Sequence, residues 1–110
     1  MANLTGKSII GFQPGGEGDP AVFGINPATG ESLQPGYAAV SETELNRAVE
    51  LAADAFEVFG KTSGTDKAAF LRKIADNIEA IGDDLARLAP QETGLPEGRI
   101  RMETGRTCGQ

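Results

Sequence analysis

A chain of 110 residues and 11.4 kDa is long enough for one small domain or for a piece of a larger one. Of its residues 39% are apolar, and 15 of these are alanines, so Leu, Ile, Val and Phe together number only 24, which excludes a large side-chain core. A net charge of −6 excludes affinity built on neutralising a phosphate lattice, and the lone Cys108 excludes an internal disulfide; with no bilayer-length apolar run and no signal-peptide core, a cytoplasmic protein is expected, binding neither nucleic acid nor membrane.

Residues 1–40 hold eight of the 15 glycines and four of the six prolines, and read as extended segments and turns. Asn3-Leu4-Thr5 matches a glycosylation sequon but reads as an exposed terminal turn. Three extended pieces are predicted, over 8–12, 21–25 and 32–37, with Pro14-Gly15-Gly16 and Asn26-Pro27-Ala28-Thr29-Gly30 as breakers. Asn26 can accept a local hydrogen bond, Pro27 presets φ, and Gly30 can return the chain through the left-handed region, so 21–37 is predicted as a β-hairpin. Such a ribbon is too small to stand in water alone and must lie against another element.

The composition changes at Ser41. Ser41-Glu42-Thr43-Glu44 is a capping box, which starts a helix at Glu42. Leu45, Ala48, Val49, Ala52, Phe56 and Phe59 form an apolar stripe at helical spacing, Gly60 ends it, and Glu44, Arg47, Glu50, Asp54 and Glu57 make the solvated face. A second long helix takes Thr65 or Asp66 as N-cap and carries Leu71, Ile74, Ile78, Ile81, Leu85 and Leu88 on one face. That seam is expected to bury against the first helix or against another domain. A kink is expected at Gly82, with Asp83 recapping a stretch to about Gln91, and Pro90 distorts the last turn before Gly94-Leu95-Pro96.

Candidate chemistry is sparse. Gly16-Glu17-Gly18-Asp19-Pro20-Ala21 fits the GxGxxA spacing of a dinucleotide loop, but no helix can open across Asp19-Pro20, so the stretch reads as a strand connection. Cys108 has Arg101 and Arg106 nearby in sequence, which lower a thiol pKa when close in space, yet no histidine exists to act as base. Asp83, Asp84 and Glu79 diverge on a helix and are not a metal set, and Thr65-Asp66-Lys67 is a cap rather than a triad. From the residues alone, no catalytic, cofactor-binding or metal-binding set is assigned.

Phe23-Gly24-Ile25-Asn26-Pro27-Ala28-Thr29-Gly30-Glu31 is similar to the amino-terminal signature of the aldehyde dehydrogenase family. The order of later motifs also resembles that family: the Ser41 cap, Ala48 to Phe56, Leu71-Arg72-Lys73-Ile74-Ala75-Asp76-Asn77-Ile78-Glu79, and Glu92-Thr93-Gly94-Leu95-Pro96. The likeness covers 7–97, and Glu103 to Gln110 resembles the branch that oxidises 2-oxoglutarate semialdehyde; Pro90 departs from the family's pattern. The resemblance implies an α/β family fold, of which this chain is an α+β piece: a β-hairpin segment over 1–40, a two-helix part of the cofactor-binding domain over 41–96, and a truncated tail over 97–110. It implies an enzyme that oxidises an aldehyde to the acid with NAD or NADP, a homo-oligomer when intact. The nucleophile, oxyanion donors and cofactor site fall downstream, and Cys108, followed by Gly109-Gln110, does not match the nucleophile's motif. The role implied for these residues is structural, with the rest of the dehydrogenase chain as partner. Two other readings compete: a free-standing acidic helical interaction module, and a small enzyme using Asp83 or Cys108.

Overall fold

The computed structural model describes residues 4–16 and 18–110; Asn3 of the sequon and Glu17 of the glycine-rich stretch lie outside the described residues. The elements are β1 (Ser8–Ile10), β2 (Gln13–Gly15), α1 (Glu42–Phe59), α2 (Gly64–Ala80), α3 (Gly82–Thr93) and α4 (Glu97–Cys108). They fall into two compact units. The α+β content matches the expectation from sequence, with the second long helix divided into α2 and α3 and a further helix after it.

One unit comprises Leu4–Phe23 and Gln34–Thr62. Here β1 and β2 pair antiparallel in the register Ser8↔Gly15, Ile9↔Pro14, Ile10↔Gln13. The expected breaker at Pro14-Gly15-Gly16 is corrected: 13–15 is a strand, because both strands of a two-stranded ribbon are edges, where proline is tolerated. The turn is Gly11-Phe12, with φ of 57° and 66°, the sign pattern of a type I′ hairpin turn. Hairpin and helix are in direct contact: a Cβ on Gly11 would stand 2.8 Å from Leu51 Cδ1 of α1. The Val22↔Tyr37 bridge closes through Tyr37 N–H to the Val22 carbonyl at 2.7 Å. Gly6 passes so close to Gly36 that a Cβ on it would lie 2.0 Å from the Gly36 carbonyl oxygen.

Helix α1 starts where the capping box places it. The Glu44 N–H donates to Ser41 Oγ at 3.2 Å, and the Ser41 N–H donates to Glu44 Oε2 at 2.8 Å. Its flank carrying Glu44, Ala48 and Leu51 is half-buried, whereas Leu45, Val49 and Phe56 are open, the last 72% exposed.

The other unit contains Gly24–Leu33 and Ser63–Gln110. The turn folds as its residues dictate: Asn26 Oδ1 accepts from the Ala28 N–H at 2.9 Å, the Gly30 N–H donates to the Asn26 carbonyl at 2.7 Å, and Gly30 has φ 75°. Among the described residues, strand pairing here is the single bridge Ile25↔Ser32. The hairpin expected over 21–37 therefore exists as isolated bridges instead of continuous strands; Pro35 has no N–H to give a ladder.

The N-cap of α2 is Ser63, not Thr65 or Asp66. Ser63 is extended (φ −62°, ψ 156°), its Oγ accepts from the Asp66 N–H at 3.1 Å, and its hydroxyl donates to Asp66 Oδ2 at 2.7 Å. The expected kink is a full break, at Ile81 (φ −102°, ψ 9°), and α3 follows without a side-chain cap, so Asp83 does not recap it. Helix α3 runs through Pro90 to Thr93, two residues past Gln91, and stops at Gly94 in the left-handed region (φ 72°), whose N–H donates to the Pro90 carbonyl at 2.9 Å.

Helix α4 packs on α3 and α2. It is polar on most of its surface and rests on charge pairs, Glu97–Arg101 at 2.8 Å and Arg99–Glu103, each four residues apart. The apolar seam of α2 and α3 is half covered: Ile78, Leu85 and Leu88 are half-buried, while Leu71 is 62% exposed. The buried described residues are Gly6, Gly15, Gly16, Gly36 and Ala86.

Candidate functional site

The one thiol lies at the end of α4, where that helix meets α2. There a cleft of about 570 Å³ is lined by Leu71, Ile74, Ala75 and Ile78 on one side and by Thr107 and Cys108 on the other. The Cys108 thiol donates to the Ala75 carbonyl at 3.7 Å and is half-buried. Its neighbour is a carbonyl, not a base. Arg101 does not serve it: Nη1 of Arg101 donates to Asp83 Oδ1 at 2.9 Å and Nε to Glu97 Oε1 at 2.9 Å, and the hydrogen bond to Asp83, with that to Glu97 next, raises the guanidinium pKa above its ordinary value. Arg106 is two residues before Cys108 on the same helix, a spacing that points side chains apart.

Two members of the acidic group have separate partners. Asp83 is joined to Arg101 on α4 and Asp84 to Arg87 one turn on, so the two carboxylates are neutralised separately. Among the described residues no group of three His, Cys, Asp or Glu side chains could hold a metal ion. Asp66 is spent on the Ser63 cap.

The glycine-rich stretch does not fit a nicotinamide cofactor. The Gly16 N–H, the first amide a pyrophosphate would need, donates to Glu44 Oε1 at 2.7 Å, and the chain leaves the stretch into the bridge at Val22 instead of a helix. Glu44 is the centre of this unit's polar contacts. Its carboxylate accepts from the Ser41 N–H, the Gly16 N–H and the Ser41 hydroxyl, and these, the Ser41 amide foremost and the Gly16 amide next, hold its pKa below the ordinary glutamate value against the opposing effect of burial. Sequence reading found the half of this node that is local, the capping box. The bond to Gly16, 28 residues away, leaves no mark in the sequence, and neither does Asp83 to Arg101, 18 residues apart.

Two motifs distant in sequence also meet. Gly94, at the end of α3, lies against Pro27 of the turn: a Cβ on Gly94 would be 3.1 Å from Pro27 Cγ and 3.9 Å from Pro27 Cβ. The signature turn and the Glu92 to Pro96 segment, two of the stretches that carry the sequence likeness, are thus in contact. The family model for the aldehyde dehydrogenase family matches residues 16–110, and the chain belongs to that family. Among its relatives is the alpha-ketoglutaric semialdehyde dehydrogenase 2 of Azospirillum brasilense, 39% identical over 108 residues, which are 97% of this chain and 21% of the relative. An alpha-ketoglutaric semialdehyde dehydrogenase of Acinetobacter baylyi is 34% identical over 110 residues, the whole of this chain and 21% of the relative. The chain therefore spans about a fifth of the length of the curated relatives it matches. No helix among the described residues is long and apolar enough to cross a membrane.

Proposed function

We propose that these residues form the amino-terminal part of an aldehyde dehydrogenase that oxidises 2-oxoglutarate semialdehyde to the dicarboxylate with NAD or NADP in the cytoplasm, as a homo-oligomer. Within it, 1–40 is an extended and hairpin segment, 41–96 belongs to the cofactor-binding domain, and 97–110 leads on from it. The segment is structural and holds no catalytic, cofactor-binding or metal-binding residue; its partner is the rest of the dehydrogenase chain. The names of the relatives support the substrate. The observation that carries the structural role is the open state of the apolar faces: Val49, Phe56 and Leu71 are each more than 60% exposed, while among the described residues the buried positions hold only glycine and Ala86. Faces of this kind stabilise a protein when another body covers them.

The test compares the purified 110-residue chain with a family-length protein that contains it, each given 2-oxoglutarate semialdehyde and NAD or NADP. The expected result is reduced cofactor from the longer protein only, and no micromolar NADP binding by the short one; turnover by the short chain overturns the reading. The acidic interaction module is the second reading, favoured by the same open stripe on α1. Saturable binding of an amphipathic partner helix by the short chain, lost in Val49→Ser, together with no turnover by the longer protein, would select it.

A further inference from the structure

The dehydrogenase reading assigns no role to the close approach of Pro27 to Gly94. Helix α3 ends at Thr93 with Gly94 as its cap, and α4 starts at Glu97, so the direction of α4 depends on the few backbone dihedrals between Thr93 and Pro96 together with its packing on α3 and α2 and the Arg101–Asp83 pair. Inside that elbow the Gly94 N–H is held by the Pro90 carbonyl and the Leu95 N–H by Thr93 Oγ1 at 3.2 Å. Those bonds fix each side of the joint locally. What bears on it from outside is the turn. Asn26 to Gly30 is braced by its own hydrogen bonds, including the Asn26 N–H to the Glu31 carbonyl at 2.9 Å, and Pro27 adds a rigid ring. The ring sits against the Gly94 backbone closer than any side chain there would allow without displacement.

We propose that the Asn26–Gly30 turn is a strap across the α3–α4 elbow, with Pro27 as the bearing on Gly94, and that it sets the angle at which α4 carries Cys108 onto α2. The strap explains why both positions are constrained at once: position 94 must be glycine for its left-handed φ and for the space Pro27 occupies, and Pro27 must present a stiff edge to fill that space.

The test compares the 110-residue chain with its P27A variant by hydrogen exchange. Exchange of amides 97–103 is expected to be about tenfold faster in P27A than in the parent, with 64–70 unchanged. An unchanged rate in P27A overturns the strap, as does a change shared equally by 64–70. Because no readout involves a cofactor or an aldehyde, the strap and the dehydrogenase reading stand or fall separately.

Discussion

Phe12 holds a backbone conformation that suits glycine. With φ 66° and its side chain 97% exposed, it accepts the left-handed strain without burying its ring. Phe12→Gly is therefore expected to stabilise the β1–β2 hairpin by about 1 kcal/mol, read as a higher urea midpoint. At Glu44 the consequence is a pH dependence. Its folded pKa lies below the unfolded value, so the unfolded chain binds more protons in acid; the stabilisation is complete above the ordinary glutamate range and is lost as pH falls through the depressed folded value. Glu44→Gln should flatten that acid limb of the unfolding midpoint against pH and leave the neutral and alkaline limbs parallel to those of the parent.

Ser63 and Ser41 show what an element needs to announce itself. Both are extended residues whose hydroxyl takes the N–H three residues on, and Ser63→Ala should cost about 1 kcal/mol, seen as loss of helical ellipticity and faster exchange at the start of α2. Ser41 was legible because Glu44 completes its box, whereas Gly64 after Ser63 reads as loop and drew the expected cap to Thr65 or Asp66. The β1–β2 pairing was hidden by Pro14, a residue that forbids a central strand but not an edge. Helix α4 was hidden for a different reason: its support is charge pairs at four-residue spacing, so no apolar period marks it. The stripes of α1 and α2 were plain from spacing alone, yet spacing does not tell how much of a stripe is covered, and here the cover is partial.

For the molecule as a whole, the open stripes separate its two settings. Val49→Ser and Phe56→Ser should each change the stability of the 110-residue chain by no more than about 0.5 kcal/mol, since both side chains are already in water. In a family-length dehydrogenase the same changes should cost about 2–4 kcal/mol each, measured by denaturant unfolding, if that larger body covers them. The family was legible from motif order, and the contact between those motifs required the structure. Because Gly6, Gly15, Gly16, Gly36 and Ala86 occupy the interior, melting brings little oily surface into contact with water, and the heat-capacity step should fall well below the roughly 12–15 cal/mol/K per residue of ordinary domains. The stability curve of such a chain is shallow, so warming should loosen it over a wide span of temperature, and chilling should scarcely weaken it.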